Sequence, residues 1–373
     1  MDAPYDGAVR VALAEPYYGG SHKAWADGYA VNSANEVTLV THVARFWKWR
    51  MHGSHLTLAT DLAALSEAAP DVVLASSMMN VASFAGAARH TIGDAPIAVY
   101  FHESQFAYPL SPLDRPDQTY PMVNWSSAAV ADLAIFNSEF HRTIFFEEAE
   151  RFLRQFPDRR HSHMVPNVRD RSIVLPVGVD LQRIGTPAAR VDGPPLILWN
   201  QRWEHDKGPD EFVALIEALV AEDRSFEVAV VGEQFVSAPE SFDRLPDLLG
   251  DRLVAFGFVP DDEYIALVGR ADIVVSTADH EFFGIAIVEA MAAGAFPVLP
   301  NGLVYPERIP ERYRDRCLYD NAGALVSCVR WAFEHPVQAA GVAKDLAATV
   351  AKYNWSVVAP AYDAVLESLV AAE

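Results

Sequence analysis

Two cysteines, Cys317 and Cys328, are all that 373 residues contain, and neither has a second thiol or histidine at metal-ligand spacing. A disulfide framework and a cysteine-built metal site are therefore not expected. No apolar run approaches the roughly 20 residues that a membrane-spanning helix needs. The opening stretch MDAPYDGAVR has neither the basic nor the apolar region of a signal peptide, so a cytoplasmic location is expected. Positive charge is scarce too. Lys and Arg number 29 against 50 Asp and Glu, a net charge of −21 that opposes wholesale binding to a polyanion. No Asp-x-Asp triplet occurs, so a carboxylate-held divalent metal is not expected either.

What is present is enough apolar matter for two cores. Hydrophobic residues make up 51% and charged residues 21%, and the length suits two domains of about 180 residues. The acidic excess is uneven: residues 1–182 carry 14 Lys and Arg against 20 Asp and Glu, residues 183–373 carry 15 against 30. Two basic stretches stand out in the first half. One holds Arg45, Lys48, Arg50, His52 and His55; the other holds Arg151, Arg154, Arg159, Arg160, His161, His163, Arg169 and Arg171. Solvated faces are the ordinary reading of such stretches.

Short apolar runs alternate with segments of helical period, the pattern of parallel βαβ units. Strands are expected at 9–14, 36–42, 71–76, 96–102, 133–138 and 172–178, with helices at 21–33, 57–68, 80–89, 122–132 and 139–155. RIGTPAARVDGPP, at 183–195, lacks an apolar period and reads as a linker. The alternation restarts with strands at 196–201, 226–232, 253–259, 271–277 and 296–301 and helices at 208–222, 261–268, 284–293, 322–334, 338–352 and 354–370. The expected architecture is α/β: a Rossmann-like doubly wound domain over 1–182, the linker, a second such domain over 196–353, and a final helix over 354–373. Ligands of such sheets bind beyond the carboxyl ends of the strands, in this case in a cleft between domains.

Two loops of the second half carry chemistry. After the strand at 271–277 come Glu281 and, eight residues on, Glu289, with Gly284 opening the helix between them. A helix start offers unpaired amides and a favourable dipole to an anion. A carboxylate before the helix suits sugar hydroxyls, and one inside it suits a ribose diol. A structural carboxylate is the competing account of Glu289, although an unpaired buried charge is costly. After the strand at 196–201 come Arg202, Lys207 and Gly208. A guanidinium fork and an ammonium suit a diphosphate leaving group in place of a metal.

These motifs resemble the donor domain of the GT-B retaining glycosyltransferases of the family 4 type. The resemblance covers about residues 196–300. It implies that Glu281 contacts the transferred sugar, Glu289 the ribose, and Arg202 with Lys207 the diphosphate, while Phe283, Gly284 and Ile285 line the donor. The segment Phe256–Val259, through Phe258 and Val259, would lie beside the base. The closing Tyr353-Asn-Trp355…Tyr362 helix resembles one that crosses back to the first domain.

In the first half, Gly19-Gly20 between a strand and a helix permits close backbone approach to a donor, and Ser21 is placed to cap that helix. His22 and Lys23 follow. The fourth strand ends in His102, Glu103, Ser104 and Gln105, polar groups that packing explains poorly. His102 suits a hydrogen bond to the sugar or to an acceptor hydroxyl. Asn137-Ser138 ends the next strand, with helix capping the ordinary role for Ser138. Arg45, Lys48 and Arg50 lie among Phe46, Trp47 and Trp49, a mix able to pair phosphates and stack a base, or else a buried aromatic cluster.

EPYYGGSHKAWADG, ARFWKWRMHGSHL, LASSMMNVASF, YFHESQFAYP and FNSEFH occur in this order over residues 9–180. Together they resemble the N-terminal domain of the tRNA-queuosine mannosyltransferase family, with Ser104 standing where family members usually carry Asn. The resemblance implies GDP-mannose as donor substrate with no further cofactor, and queuosine-containing tRNA as acceptor. It implies acceptor contacts from Ser21, His22, Lys23, Trp47, Lys48, Arg50, His102, Glu103, Gln105 and Asn137, with His102, Arg202, Lys207 and Glu281 catalytic. Two other readings stay open on the residues alone. One is a GT-B enzyme with another sugar nucleotide and a glycan, lipid or small-molecule acceptor; the other is a GT-B-shaped binding protein without catalysis. A membrane surface is not expected as partner, since no basic amphipathic helix is found.

Overall fold

The computed structural model describes residues 8–65, 68–107, 117–185, 193–233 and 239–372. Residues 186–192 of the expected linker, 66–67 of an expected helix and the end of the YFHESQFAYP motif lie outside the described residues. The chain divides into two compact units, Met1–Gly178 with Trp355–Glu373, and Val179–Asn354.

In the first unit six parallel strands, β1 (Arg10–Tyr18), β2 (Glu36–Val43), β3 (Val72–Ser76), β4 (Ile97–Phe101), β5 (Leu133–Phe136) and β6 (Ser172–Val174), form one sheet in the order β2-β1-β3-β4-β5-β6. β3, β4 and β5 are buried along their whole length. Burial on both faces is why they read in the sequence as unbroken apolar runs. Phe101, Phe136, Phe145 and Phe146 pack on one side, with ring centroids 4.8–5.7 Å apart.

The helix Trp355–Ala371 completes this unit. Its Tyr362 and Asp363 receive hydrogen bonds from Trp25 (3.2 Å) and from Tyr29 (2.8 Å) and Ser33 (2.5 Å), respectively. Trp355 lies between Gly28 and Gly178, where an added Cβ would meet the indole at 2.1 and 2.2 Å.

The second unit repeats the plan with β7 (Leu196–Trp199), β8 (Glu227–Val231), β9 (Leu253–Gly257), β10 (Ile273–Val275), β11 (Phe296–Pro300) and β12 (Leu318–Tyr319), ordered β12-β11-β10-β7-β8-β9. The chain lays β8 and β9 to one side of β7 and then returns to lay β10 on the other. That reversal makes a switch point at the carboxyl ends of β7 and β10.

Several boundaries differ from those expected. β1 runs on through Tyr18, so Glu15 belongs to a strand and not to a loop. Gly19 caps the helix Gly20–Asn32 with no side-chain bond, which leaves Ser21 an exposed residue inside the first turn and not its cap. The helix expected from 57 begins at Trp47 and runs to Leu65, so Trp47, Lys48 and Arg50 are helical. Arg183, expected in a linker, lies within the short helix Leu181–Ile184. The short elements Val165–Asp170, Tyr305–Arg308, Glu311–Cys317 and β12 were too brief to show a period. Both cysteines are free and buried, and no described helix is long and apolar enough to cross a membrane.

Candidate functional site

The loops beyond β7 and β10 bring Arg202, Lys207 and Glu281 together. Asp206 and Lys207 form a 3₁₀ turn that ends in Gly208, whose φ of +62° leads directly into the helix Pro209–Val220. Lys207 is almost fully buried. Its Nζ donates to the His280 carbonyl at 2.7 Å and lies 3.1 Å from Asp206 and 3.5 Å from Glu281. Arg202 is half exposed and pairs with Glu204 at 3.2 Å.

Glu281 Oε1 accepts the amides of Phe282, Phe283 and Gly284 at 3.0–3.2 Å. The helix start expected to offer the Gly284 amide to an anion is therefore occupied at that amide by the protein's own carboxylate. Amides from Ile285 onward remain in the first turn of the helix Ile285–Ala292, ahead of the first intrahelical bond. Burial opposes the charge on Glu281, but Lys207, the amides and Arg202 outweigh it and hold its pKa below the usual carboxylate range. Burial, aided by the Lys207 charge, pushes His280 down to about 4, so its ring is neutral at physiological pH.

Glu289 is buried among side chains and has both oxygens engaged. Arg183 donates to Oε1 at 2.7 Å and the Tyr264 hydroxyl to Oε2 at 2.6 Å. Burial raises its pKa despite these two partners. Asn200 donates to the Tyr264 hydroxyl at 3.1 Å and to the Ala286 carbonyl at 3.0 Å, tying β7 to the Ile285–Ala292 helix. Beside this cluster lies a cavity of about 310 Å³ lined by Arg183, Asn200, Arg202, Phe258, Val259 and Tyr264, among others. Phe258 and Val259, expected beside the base, line this cavity, and so do Arg183 and Tyr264, which the motifs did not single out. Phe283 is set apart: its ring packs under Arg308 and against Tyr353, and its carbonyl accepts from Arg308.

In the first unit the centre is built on Glu15, which is wholly buried. Its Oε1 accepts the Tyr17 amide at 2.7 Å and its Oε2 the His22 Nδ1 proton at 2.9 Å, while His102 Nε2 stands 3.8 Å away. The two imidazoles are 4.1 Å apart, and Trp25 and Tyr100 flank His102. Burial, together with the His22 and His141 charges, pushes the His102 pKa well below its ordinary value, and its Nε2 has no hydrogen-bond partner. The ligand atoms of Glu15, His22 and His102 lie within 4.8 Å of one another, close enough for a divalent ion to bridge. The same neutral, unpartnered nitrogen is equally suited to a substrate hydroxyl. Glu15 escaped the sequence reading as a site residue, although it heads the EPYYGGSH motif seven residues before His22.

The other first-unit candidates divide. Asn137 is buried and donates to the His102 carbonyl at 3.0 Å while its Oδ1 accepts from His141, so it braces the site through the backbone. Ser138 caps the helix Glu139–Leu153 by accepting the His141 amide. Glu103 accepts from Gln105 at 2.7 Å. Lys23, exposed, is paired with Asp27 and the Tyr18 hydroxyl. Trp47 turns inward against Tyr120, Met51 and Val123, whereas Lys48 and Arg50 stay near the surface. Gly19 and Gly20 stand at the end of β1, where a Cβ on Gly19 would meet Ala44 at 2.5 Å and Gly20 takes φ +50°.

Comparison with known proteins bears on both units. Residues 10–179 match the tRNA-queuosine alpha-mannosyltransferase N-terminal family, and residues 186–339 match glycosyl transferases group 1. The tRNA-queuosine alpha-mannosyltransferase of Drosophila melanogaster is 33% identical over 326 residues, 84% of each chain. The chain belongs to that family. A shorter match of 133 residues, 34% of each chain, is 32% identical to the GDP-mannose:cellobiosyl-diphosphopolyprenol alpha-mannosyltransferase of Xanthomonas oryzae. Among solved structures, the sucrose-phosphate synthase of Thermosynechococcus elongatus superposes with a TM-score of 0.73 over 97% of this chain and 99% of its own, at 16% identity. The fold is GT-B, and the family member is a hexosyltransferase with a group 1 glycosyltransferase unit.

Proposed function

We propose that the protein transfers mannose from GDP-mannose to the queuosine base of tRNA, with retention at the anomeric carbon. The observation that carries this is the 33% identity to a queuosine enzyme over 84% of both chains, too long a match for either unit alone to supply. The similarity of a further stretch to an enzyme named for GDP-mannose supports the donor.

In this reading Arg202, Lys207 and the amides from Ile285 hold the diphosphate, and Glu281 meets the mannose hydroxyls. Phe258 and Val259 flank the guanine, and the ribose diol takes a place on Glu289 now shared by Arg183 and Tyr264. The Gly19-Gly20 backbone lets a substrate come close. His102, with His22 set in one tautomer by Glu15, receives hydroxyls. The bond from mannose C1 to the phosphate oxygen breaks, the acceptor oxygen bonds to C1 on the same face, and the acceptor proton passes to the departing diphosphate. Buried free thiols accord with work in the cytoplasm.

The decisive test supplies queuosine-containing tRNA with GDP-mannose, GDP-glucose, UDP-glucose and UDP-N-acetylglucosamine in turn, followed by nucleoside mass analysis. A hexose added from GDP-mannose alone is expected; transfer only from a UDP-sugar, or none with intact tRNA, overturns the reading. The cations replace a metal on the diphosphate, so transfer is expected to continue within about twofold in excess EDTA. A tenfold or larger loss that Mg²⁺ or Zn²⁺ restores would assign a metal, with Glu15, His22 and His102 the first residues to examine.

A further inference from the structure

Outside both centres, the beginning of the Trp47–Leu65 helix shows an arrangement that packing does not account for. Phe46 precedes the helix with φ +53°, a backbone conformation costly for a bulky side chain, and its ring is 77% exposed. Its carbonyl accepts the Trp49 and Arg50 amides, so this turn is fixed by the helix. Trp49 is 64% exposed, and its six-membered ring rests 3.0–3.3 Å from where a Cβ on Gly53 would stand. A Cβ at 53 would press on the indole, which lies along the helix, and shift it by a few tenths of an ångström.

Neighbouring Trp47 is half-buried and packs against Tyr120. The two exposed rings are therefore not the rim of an aromatic core. Arg45 and Lys48 are exposed beside them, and Arg50 is anchored by donating to the Val43 carbonyl at 3.1 Å. His52 lies on the same helix, and the Asp117 carboxylate is within electrostatic reach of Lys48 and His52.

The second basic stretch differs. Arg151, Arg154 and Arg169 are paired with Glu148 or Glu150, Arg159 with Asp158, and Arg171 with the Ala129 carbonyl. Its arginines are each held by a carboxylate or a carbonyl of the protein, and no exposed Phe, Tyr or Trp ring stands among them.

We propose that Phe46 and Trp49 form a stacking platform for unpaired RNA bases next to the nucleotide being modified, with Arg45 and Lys48 on the flanking phosphates. This rests on the proposed tRNA acceptor and deepens it, because it assigns recognition of the RNA to residues apart from either centre. On a chain of net charge −21, a polyanion gains little from the general field. Adhesion must then come from a local set of cations and from stacking, which tolerates net charge and any base sequence.

The experiment compares parent, Phe46→Ala, Trp49→Ala and the double variant with three acceptors: queuosine-containing tRNA, its isolated anticodon stem-loop, and free queuosine nucleoside. Each single variant is expected to raise KM for tRNA and stem-loop about tenfold with kcat unchanged, and Trp49→Phe to recover most of it. Nucleoside transfer and the melting temperature stay at parental values, since both rings are exposed. Arg45→Gln with Lys48→Gln lowers the salt dependence of tRNA binding. Parental KM for tRNA in the double variant overturns the platform. So does conversion of a dimer to a monomer without a change in KM, which would make the patch a contact between copies. Absence of nucleoside transfer in the parent as well as in the variants would point instead at the proposed reaction.

Discussion

Lys207→Met is expected to cut turnover about a hundredfold or more and to lower the melting temperature as well. The first effect follows from removing a preorganised cation from developing diphosphate charge in a dry site, a change that typically costs a factor of about 10² to 10³. The second follows from Asp206. Its side chain is almost completely buried, neither oxygen has a hydrogen bond, and Lys207 Nζ at 3.1 Å is its compensation. Removing one partner of a buried pair costs about 3–5 kcal/mol, or about 6–20 °C for a unit of this size. Asp206→Asn combined with Lys207→Met removes the stranded charge, so it should regain most of the lost melting temperature and none of the turnover. Return of turnover with stability would strip Lys207 of its role in the reaction.

Gly208→Ala is expected to damage both properties at once. The residue sits at φ +62°, and an added Cβ would meet the Thr277 carbonyl oxygen at 1.9 Å. A left-handed conformation alone costs alanine about 1–2 kcal/mol, and the contact cannot be relieved without moving backbone. Thr277 Oγ1 also donates to the Lys207 carbonyl at 2.9 Å, so the displacement passes to the turn that carries Lys207. A loss of at least about 3 kcal/mol is expected, seen by calorimetry together with a fall in turnover. Gly341→Ala supplies the contrast. It lies within the helix Pro336–Val350 with open space around its Cβ. There alanine should raise stability by about 0.5–1 kcal/mol and leave the reaction alone. Equal melting curves for the two variants would remove the steric account.

The parts of the site that the sequence displayed are those whose meaning is local. Lys207-Gly208 and the Glu281–Glu289 spacing each follow a buried strand within a few residues, so strand recognition sufficed to locate them. Buried parallel strands announce themselves as apolar runs for the same reason. Arg183 was hidden because its partner Glu289 is 106 residues away and its own surroundings lack a period. Glu15 was hidden because a charged residue normally ends a strand, and here β1 continues past it with the carboxylate buried against His22. The aromatic run at 46–49 gave composition without direction. Only the helix beginning at Trp47 determines that residue 47 faces inward while 46 and 49 face water.

Trp355 lodged between Gly28 and Gly178 has a bearing on how the protein is made. The first half of the chain leaves the ribosome with a slot it cannot fill, and Trp25 and Tyr29 wait for hydroxyl and carboxylate partners still to be translated. Maturation therefore runs out of order along the chain, the middle lobe being free to settle before the lobe that was begun first. A stop codon shortly before residue 355 would spare every residue assigned here to chemistry and still leave the opening lobe unfinished.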